Sequence, residues 1–382
     1  MDGKELYINF DEYIRQGEPG KREAAYAWST AIGLQAVDGL KTSAYLNELA
    51  HRNIEGEISI DEVGRLLNSY YESKTTREAN DDTEEADKAS KNIKQILSAK
   101  TFDFSANGYI SLHRRIFDGV LLRAGKIRKY DITKKEWILN GDTVNYLNWE
   151  DLRRALDYDI AKEKAFDFTR LTLEQFVSHL CQFVSDLWQI HAFGEGNTRT
   201  TAVFTIQYLR SLGFNVDNDL FAKHSWYFRN ALVRANYSNY QKKIARDSSF
   251  LEKFFRNLLM GERNELKNRY MVINPPEEWQ LQAASSTQDI PNKHRTSTEQ
   301  VTEQVTEQVM ALLSAVGRDQ YTLKELMDKL KLKHRPNFIE NYIEPAISNG
   351  FLCLLHPDSP RHPRQKYLLT VKGLAIYNEN GK

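Results

Sequence analysis

Apolar positions recur at helical spacing along most of this chain. Between Lys21 and Leu40 they fall at Ala24, Ala27, Trp28, Ala31, Leu34 and Val37, which predicts one amphipathic helix. Thr42 to Asn53 continues helically. Ser59-Ile60-Asp61-Glu62 has the Ser-x-x-Glu spacing of a capping box and opens a helix through Leu66, Leu67 and Tyr70. Asp81 to Ser98 is more polar, acidic at its start and basic at its end, as the helix dipole favours. Tyr109 to Val120 predicts another helix. From Arg128 the period shortens, and Trp137-Ile138-Leu139 and Val144-Asn145-Tyr146 flank Asn140-Gly141, a strong signal for a β-hairpin. Helical spacing returns from Asn148 to Lys164, Leu171 to His191, Asn197 to Leu212, Asp219 to Ala235 and Phe250 to Leu259.

The last third reads differently. Asn274 to Ser297 is polar and aperiodic, as in a linker. Thr-Glu-Gln-Val then occurs three times, at 298–301, 302–305 and 306–309, which puts Val301, Val305 and Val309 on one face of a single helix running into Leu312 and Leu313. Thr322 to Leu330, a turn over Lys331 to Arg335, and a helix from Pro336 to Ser348 precede two apolar runs, Phe351 to Leu355 and Lys366 to Leu369. Helix, helix-turn-helix and a two-stranded wing form a winged-helix pattern.

Composition narrows the class. The chain has 382 residues, enough for two or three domains, and its 52 basic and 52 acidic side chains cancel. Any nucleic-acid contact must therefore be local. Residues 316–382 carry 11 basic and 7 acidic side chains, a net of +4. Lys329, Lys331, Lys333, His334 and Arg335 cluster at the turn, and Arg361, Arg364 and Lys366 in the wing, so a DNA or protein contact is open there. Glu340 and Glu344 on the recognition helix weigh against base readout. Cys181 and Cys353 lie too far apart in sequence to suggest a disulfide, and the N-terminus has no apolar leader. A cytoplasmic protein with no membrane partner is expected.

The densest chemistry lies between the two most apolar helices, in Gln189-Ile190-His191-Ala192-Phe193-Gly194-Glu195-Gly196-Asn197-Thr198-Arg199. His191 can accept a proton from a hydroxyl near neutral pH. Glu195 is a hard oxygen ligand suited to Mg²⁺ that also carries phosphates and water. Gly194 and Gly196 let backbone N–H groups approach an anion, the next helix starts at Asn197, and Arg199 adds a fixed cationic fork. Base, metal ligand and anion cradle suggest attack by a hydroxyl on a nucleotide phosphate.

This stretch resembles the signature of the Fic (filamentation-induced-by-cAMP) family, His-x-Phe-x-Asp/Glu-Gly-Asn-Gly-Arg-x-x-Arg, through His191, Phe193, Glu195, Gly196, Asn197 and Arg199. The segment Leu112 to Val120 with Ala124-Gly125-Lys126-Ile127-Arg128 is similar to the family's segment before its flap. The resemblance implies a mostly α fold: an N-terminal helical region over 1–100, a Fic core over 101–262 with a small β-hairpin flap at 130–147, a linker at 263–297 and a winged-helix domain at 298–382. It implies transfer of AMP from ATP, with Mg²⁺, to a Ser, Thr or Tyr hydroxyl of a target protein, the chain itself included. His191 would be the base, Glu195 the metal ligand, and Gly194, Glu195, Gly196, Asn197, Thr198 and Arg199 the phosphate loop. Asn230 would contact the base of the nucleotide. Ile138, Leu139, Val144 and Tyr146 of the flap would dock the target segment.

Two positions depart from the pattern. Thr198 replaces the usual Gly, and Ala202 replaces the second Arg, which leaves another nucleotide or removal of AMP open. Arg210 and Arg229 are candidates to substitute. Ile54-Glu55-Gly56 is similar to the family's inhibitory element and makes Glu55 the expected inhibitory residue, with Arg199 or another cation as its partner. A regulatory DNA-binding protein with little transfer activity and a homodimer also stay open.

Overall fold

The computed structural model describes residues 10–73, 83–216, 219–275 and 305–380. Within them the protein is mainly helical, in three apolar clusters. The first cluster, which includes Trp28, Leu46, Leu49 and Val63, joins α1 (Asp11–Gln16), α2 (Pro19–Gly33), α3 (Ala44–Ile54) and α4 (Ile60–Ser73). The central core takes α5 (Thr83–Leu97), α6 (Ala106–Ile116), α7 (Leu152–Lys164), α8 (Leu173–Ile190), α9 (Asn197–Ser211), α10 (Leu220–Lys223), α11 (Ser225–Asn236) and α12 (Ser249–Met260).

Two helices position the loop. Thr172 and Gln175 close a capping box that starts α8, and the helix ends where His191 turns left-handed at φ 49°. Helix α9 is buried on every side from Asn197 to Leu209, wedged among α5, α6 and α8. A helix so enclosed cannot shift without disturbing three neighbours, so its first turn is a rigid platform.

Some predicted elements are reshaped. The expected helix over 21–40 stops at Gly33 and continues as a 3-10 turn over Leu34–Asp38, ended by Gly39 at φ 75°. Asn140 and Gly141 do turn left-handed, at φ 52° and 85°. Their flanks, however, form no paired strands; Trp137–Leu139 is a 3-10 turn. A strand would point Ile138 and Leu139 to opposite faces. Both are fully buried, and the 3-10 turn brings them into the central core together. The linker expected at 263–297 begins later, because Met271, Val272 and Ile273 enter the central core, and Ile273 N–H bonds the Ile138 carbonyl at 2.9 Å.

The C-terminal unit has its own core, built on Val309, Leu312, Leu313, Leu326, Phe338 and Phe351. Helix α13 (Glu307–Val316) begins at Thr306, whose ψ of 157° and side-chain cap on Val309 N–H end any continuous helix through the repeats there. Residues 298–304 lie outside the described ones. Helix α14 (Leu323–Lys329) follows, then α15 (Arg335–Phe338), which runs through a wider turn at Ile339–Ile343 into α16 (Glu344–Ser348). Strands β1 (Leu352–Leu354) and β2 (Tyr367–Leu369) pair antiparallel, Cys353 opposite Leu368. The order is helix, helix, helix, hairpin, and α17 (Val371–Asn380) then packs on α8. Asn378 donates to the carbonyls of Thr169 and Leu171, at 3.1 and 2.9 Å, and ties the unit to the core. Cys181 and Cys353 are both free. Among the described residues no helix is long and apolar enough to cross a membrane.

Candidate active site

His191 sits at the C-terminus of α8, 3% exposed. Its Nδ1 lies 3.3 Å from the Trp188 carbonyl, so the proton is on Nδ1 and the Nε2 lone pair is left available. Nε2 has no partner among the described residues. The Tyr146 ring covers the imidazole at 4.1 Å, and Trp188 meets it edge-on at 5.1 Å. Burial, then the charge of Lys134, holds the imidazole well below its ordinary pKa and therefore neutral.

The loop after it is held by side chains at both ends. Asn197 Oδ1 accepts from Phe193 N–H at 2.9 Å, and Asn197 Nδ2 donates to the Phe193 carbonyl at 2.7 Å. Phe193 stacks on His113 at 3.7 Å. His113 Nδ1 accepts from Gly125 N–H at 2.8 Å, so its Nε2–H donates to the Glu195 carbonyl at 3.1 Å. Gly196 has φ 70°, and a Cβ there would fall inside the Phe117 ring. With carbonyls and side chains engaged behind the loop, the first N–H groups of α9 are left for an anion. The Glu195 side chain is exposed on this rim.

Burial lowers the His113 pKa to about 4. The folded state thus prefers the neutral ring, and this preference stabilises the fold above the unfolded value near 6.5. It is lost as pH falls from there towards 4. The contribution is on the order of 3 kcal/mol. Urea midpoints at pH 7 and pH 4.5 should drop less for His113→Gln than for the unaltered protein. Equal drops would remove His113 as the group responsible.

Thr198 does not reach into the cradle. Its hydroxyl accepts from the Trp188 indole at 3.0 Å and is buried. Arg199 also points inward. Its Nε lies 2.8 Å from Asp38 Oδ2, one terminal nitrogen donates to Gln35 at 2.9 Å and the other to Glu85 at 2.6 Å, with the guanidinium over the Phe117 ring at 4.6 Å. The motif's one arginine is therefore held by the N-terminal helices.

Three expected roles are corrected or moved. Glu55 does not face the loop. It caps α3 and pairs with Lys21 at 2.6 Å, so the carboxylates that restrain Arg199 are Asp38 and Glu85. Ile138, Leu139 and Val144 are core residues, and the Ile138 carbonyl is already bonded, so they offer no open edge for docking; Tyr146 packs on His191 instead. Asn230 is buried and donates to Asn268 at 2.9 Å. Of the two arginines considered as substitutes, Arg210 donates to the Leu97 carbonyl, away from the loop. Arg229 forks onto the buried Glu136 at 2.7 and 3.1 Å, within the electrostatic reach of His191.

Other residues have contacts that their sequence patterns did not specify. Arg128 is nearly fully buried and donates to the carbonyls of His191 at 2.8 Å and of Tyr130 and Leu147 at 2.5 Å each, stapling both ends of the 130–147 segment to the His191 loop. Its position two residues before an exposed Tyr gave no hint of this. Lys329 of the C-terminal unit donates to the Ala315 carbonyl and lies 3.6 Å over the Tyr321 ring. Glu340 and Glu344 stand exposed on the helix beside Arg335.

Comparison with known proteins gives the geometry a context. Residues 103–209 match the Fic/DOC family, and residues 307–370 match the C-terminal domain of filamentation-induced-by-cAMP Fic-like proteins. The protein adenylyltransferase VbhT of Bartonella schoenbuchensis is 29% identical over 108 residues, 28% of this chain and 21% of that protein. The chain thus matches about a fifth of the length of that curated relative. A crystal structure of a Fic family protein from Desulfovibrio desulfuricans G20 aligns with 96% of this chain and 91% of that one, at 16% identity and a TM-score of 0.40. The His191-to-Arg199 loop lies inside the first matched segment and the helices and hairpin of the C-terminal unit inside the second, so these two segments of the chain are similar to Fic family proteins.

Proposed function

We propose that this protein transfers AMP from ATP to a hydroxyl of a Ser, Thr or Tyr side chain on a target protein. The observation that carries the reading is His191: neutral, with its proton on Nδ1, an Nε2 without a partner among the described residues, and a short loop joining it to the N-terminus of α9. The target hydroxyl oxygen attacks the α-phosphorus and gives its proton to Nε2. The bond from the α-phosphorus to the bridging oxygen breaks, and pyrophosphate leaves. The N–H groups of α9 meet the charge that builds on the phosphate oxygens.

Among the described residues no group of three or more His, Cys, Asp or Glu side chains can hold a metal alone. One exposed carboxylate beside a phosphate cradle fits Mg²⁺, which uses one or two carboxylates and takes phosphate and water for the rest. Glu195 would hold that ion, which neutralises phosphate charge when bound. Incubation of the full chain with ATP, Mg²⁺ and a cell lysate should release pyrophosphate in step with modification of protein. ATP turnover that releases only inorganic phosphate would overturn the reading.

The resting site is restrained. Arg199 can reach a phosphate only by leaving Asp38 and Glu85, a restraint imposed by the N-terminal helices without Glu55. Asp38→Asn with Glu85→Gln should tighten ATP binding about tenfold, since a charge-assisted hydrogen bond is worth roughly 1.4 kcal/mol or more. Glu55→Gly should leave ATP binding unchanged. Titration calorimetry checks both, and a gain with Glu55→Gly alone would restore Glu55 as the inhibitor.

A further inference from the structure

The loop is short of positive charge for a triphosphate. Ala202 stands, fully buried, where a second arginine would be, and Arg199 is neutralised by two carboxylates. Yet other cations lie within electrostatic reach of His191. Lys134, Arg128 and Arg229 all act on its imidazole. The Arg128 guanidinium is spent on three backbone carbonyls. Lys134 and Arg229 remain.

Their surroundings resemble an occupied anion site. Glu136, 1% exposed, takes both terminal nitrogens of Arg229, as a phosphate would take a guanidinium fork. Lys134 lies two residues earlier on the same strap, which Arg128 pins to the His191 and Ala192 carbonyls at 2.8 and 3.0 Å. Its ammonium is half-buried, makes no ion pair among the described residues, and feels Glu136, Glu195 and Asp38. Glu136 also accepts from the Tyr146 hydroxyl at 3.3 Å, and the Tyr146 ring is what covers His191. The buried Nε2 of His191 has no partner among the described residues, and Lys134 and Arg229 act electrostatically on the same ring.

We propose that Arg229 and Lys134 form a second phosphate-binding site, supplying the charge that Ala202 lacks, with Glu136 as the resident carboxylate that the incoming phosphate displaces. Displacement has a consequence for the base. Once Arg229 exchanges Glu136 for phosphate, Glu136 and Tyr146 lose their shared anchor, and the ring over His191 is freed to move. Nucleotide entry would thereby uncover Nε2 for the target hydroxyl. The nucleotide identity of the ligand rests on the adenylyl-transfer reading, but the anion site itself does not.

Inorganic pyrophosphate is the probe that separates the two. Titration calorimetry on the full chain should show binding that Arg229→Gln and Lys134→Gln each weaken by about tenfold or more, and that Arg229→Lys partly restores. Glu136→Gln should act in the opposite direction and tighten binding several-fold, because a neutral amide competes less for Arg229. If the Arg229–Glu136 pair is purely structural, Glu136→Gln weakens binding as Arg229→Gln does, and the proposal is overturned. Unchanged affinity in Lys134→Gln and Arg229→Gln overturns it as well. Thermal melts of each variant identify loss of fold. The expected pyrophosphate pattern without AMP transfer from ATP would leave the anion site standing and remove the adenylyl reading.

Discussion

Replacing His191 with alanine should lower AMP transfer about 100- to 10,000-fold, the range for removing a general base, while ATP binding holds. Among the described residues the imidazole's one hydrogen bond runs from Nδ1 to the Trp188 carbonyl, and none runs to the start of α9. Its removal thus deletes the proton acceptor and leaves the N–H groups of α9 in place. His191 occupies φ 49°, where asparagine is tolerated better than most residues, so His191→Asn provides a second variant with less backbone strain. Neither variant should transfer AMP at more than a small fraction of the normal rate. A rate within threefold of normal in both, measured as labelled protein over time, would mean that another group takes the proton. The low pKa also sets the pH dependence. Because burial keeps the free enzyme's imidazole neutral, the acid limb of kcat/KM should lie below the ordinary histidine range.

The second large effect belongs to Gly196. Substitution by valine places a β-branched side chain at φ 70°, and its Cβ must occupy the space of the Phe117 ring. Left-handed strain of roughly 1–2 kcal/mol and overpacking of roughly 1–3 kcal/mol act on the same few residues. Phe117 also supports the Arg199 guanidinium, so its displacement disturbs the arginine and the cradle together. We expect a loss of about 3 kcal/mol in chemical denaturation and no measurable transfer in whatever remains folded. Gly194→Ala should be milder, since the nearest group to its Cβ is the Tyr130 hydroxyl at 2.7 Å, the tip of a side chain half exposed at 48%.

The site was legible in the sequence where its chemistry is local. Helices α8 and α9 announce themselves by period, and the residues between them are consecutive, so spacing alone brings a base, a carboxylate and glycine-bounded N–H groups together. Which charge meets which across the fold was not legible. Glu55 has a suggestive neighbour in Gly56, but its partner is set by α2 lying alongside and offering Lys21. Asp38 and Glu85 have no motif around them; they reach Arg199 because a 3-10 turn and the first turn of α5 converge on α9. The flanks of the Asn140-Gly141 turn differ from paired strands for another reason. The Asn140-Gly141 turn forms as its composition dictates, but the alternation that a hairpin needs is broken where Ile138 and Leu139 both turn inward and Glu136 is drawn down to Arg229. Thr198 was expected in the phosphate loop in place of Gly. Its hydroxyl instead meets Trp188, a partner ten positions back on the preceding helix.

Arg229, Glu136, Tyr146 and His191 form one connected path from α11 to the imidazole. Arg199, Asp38 and Glu85 form another, from the N-terminal helices to the start of α9. Each joins a cation suited to phosphate with a carboxylate that occupies it. The two paths can be tested separately, because no side chain is common to both.

The most direct measurement follows the label. The full chain is incubated with Mg²⁺ and lysate proteins, once with ATP labelled at the α-phosphorus and once with ATP labelled at the γ-phosphorus. Protein that acquires the α label in a His191-dependent manner and none of the γ label is the predicted result. Protein labelled from the γ position, or from neither, would contradict AMP transfer by this site.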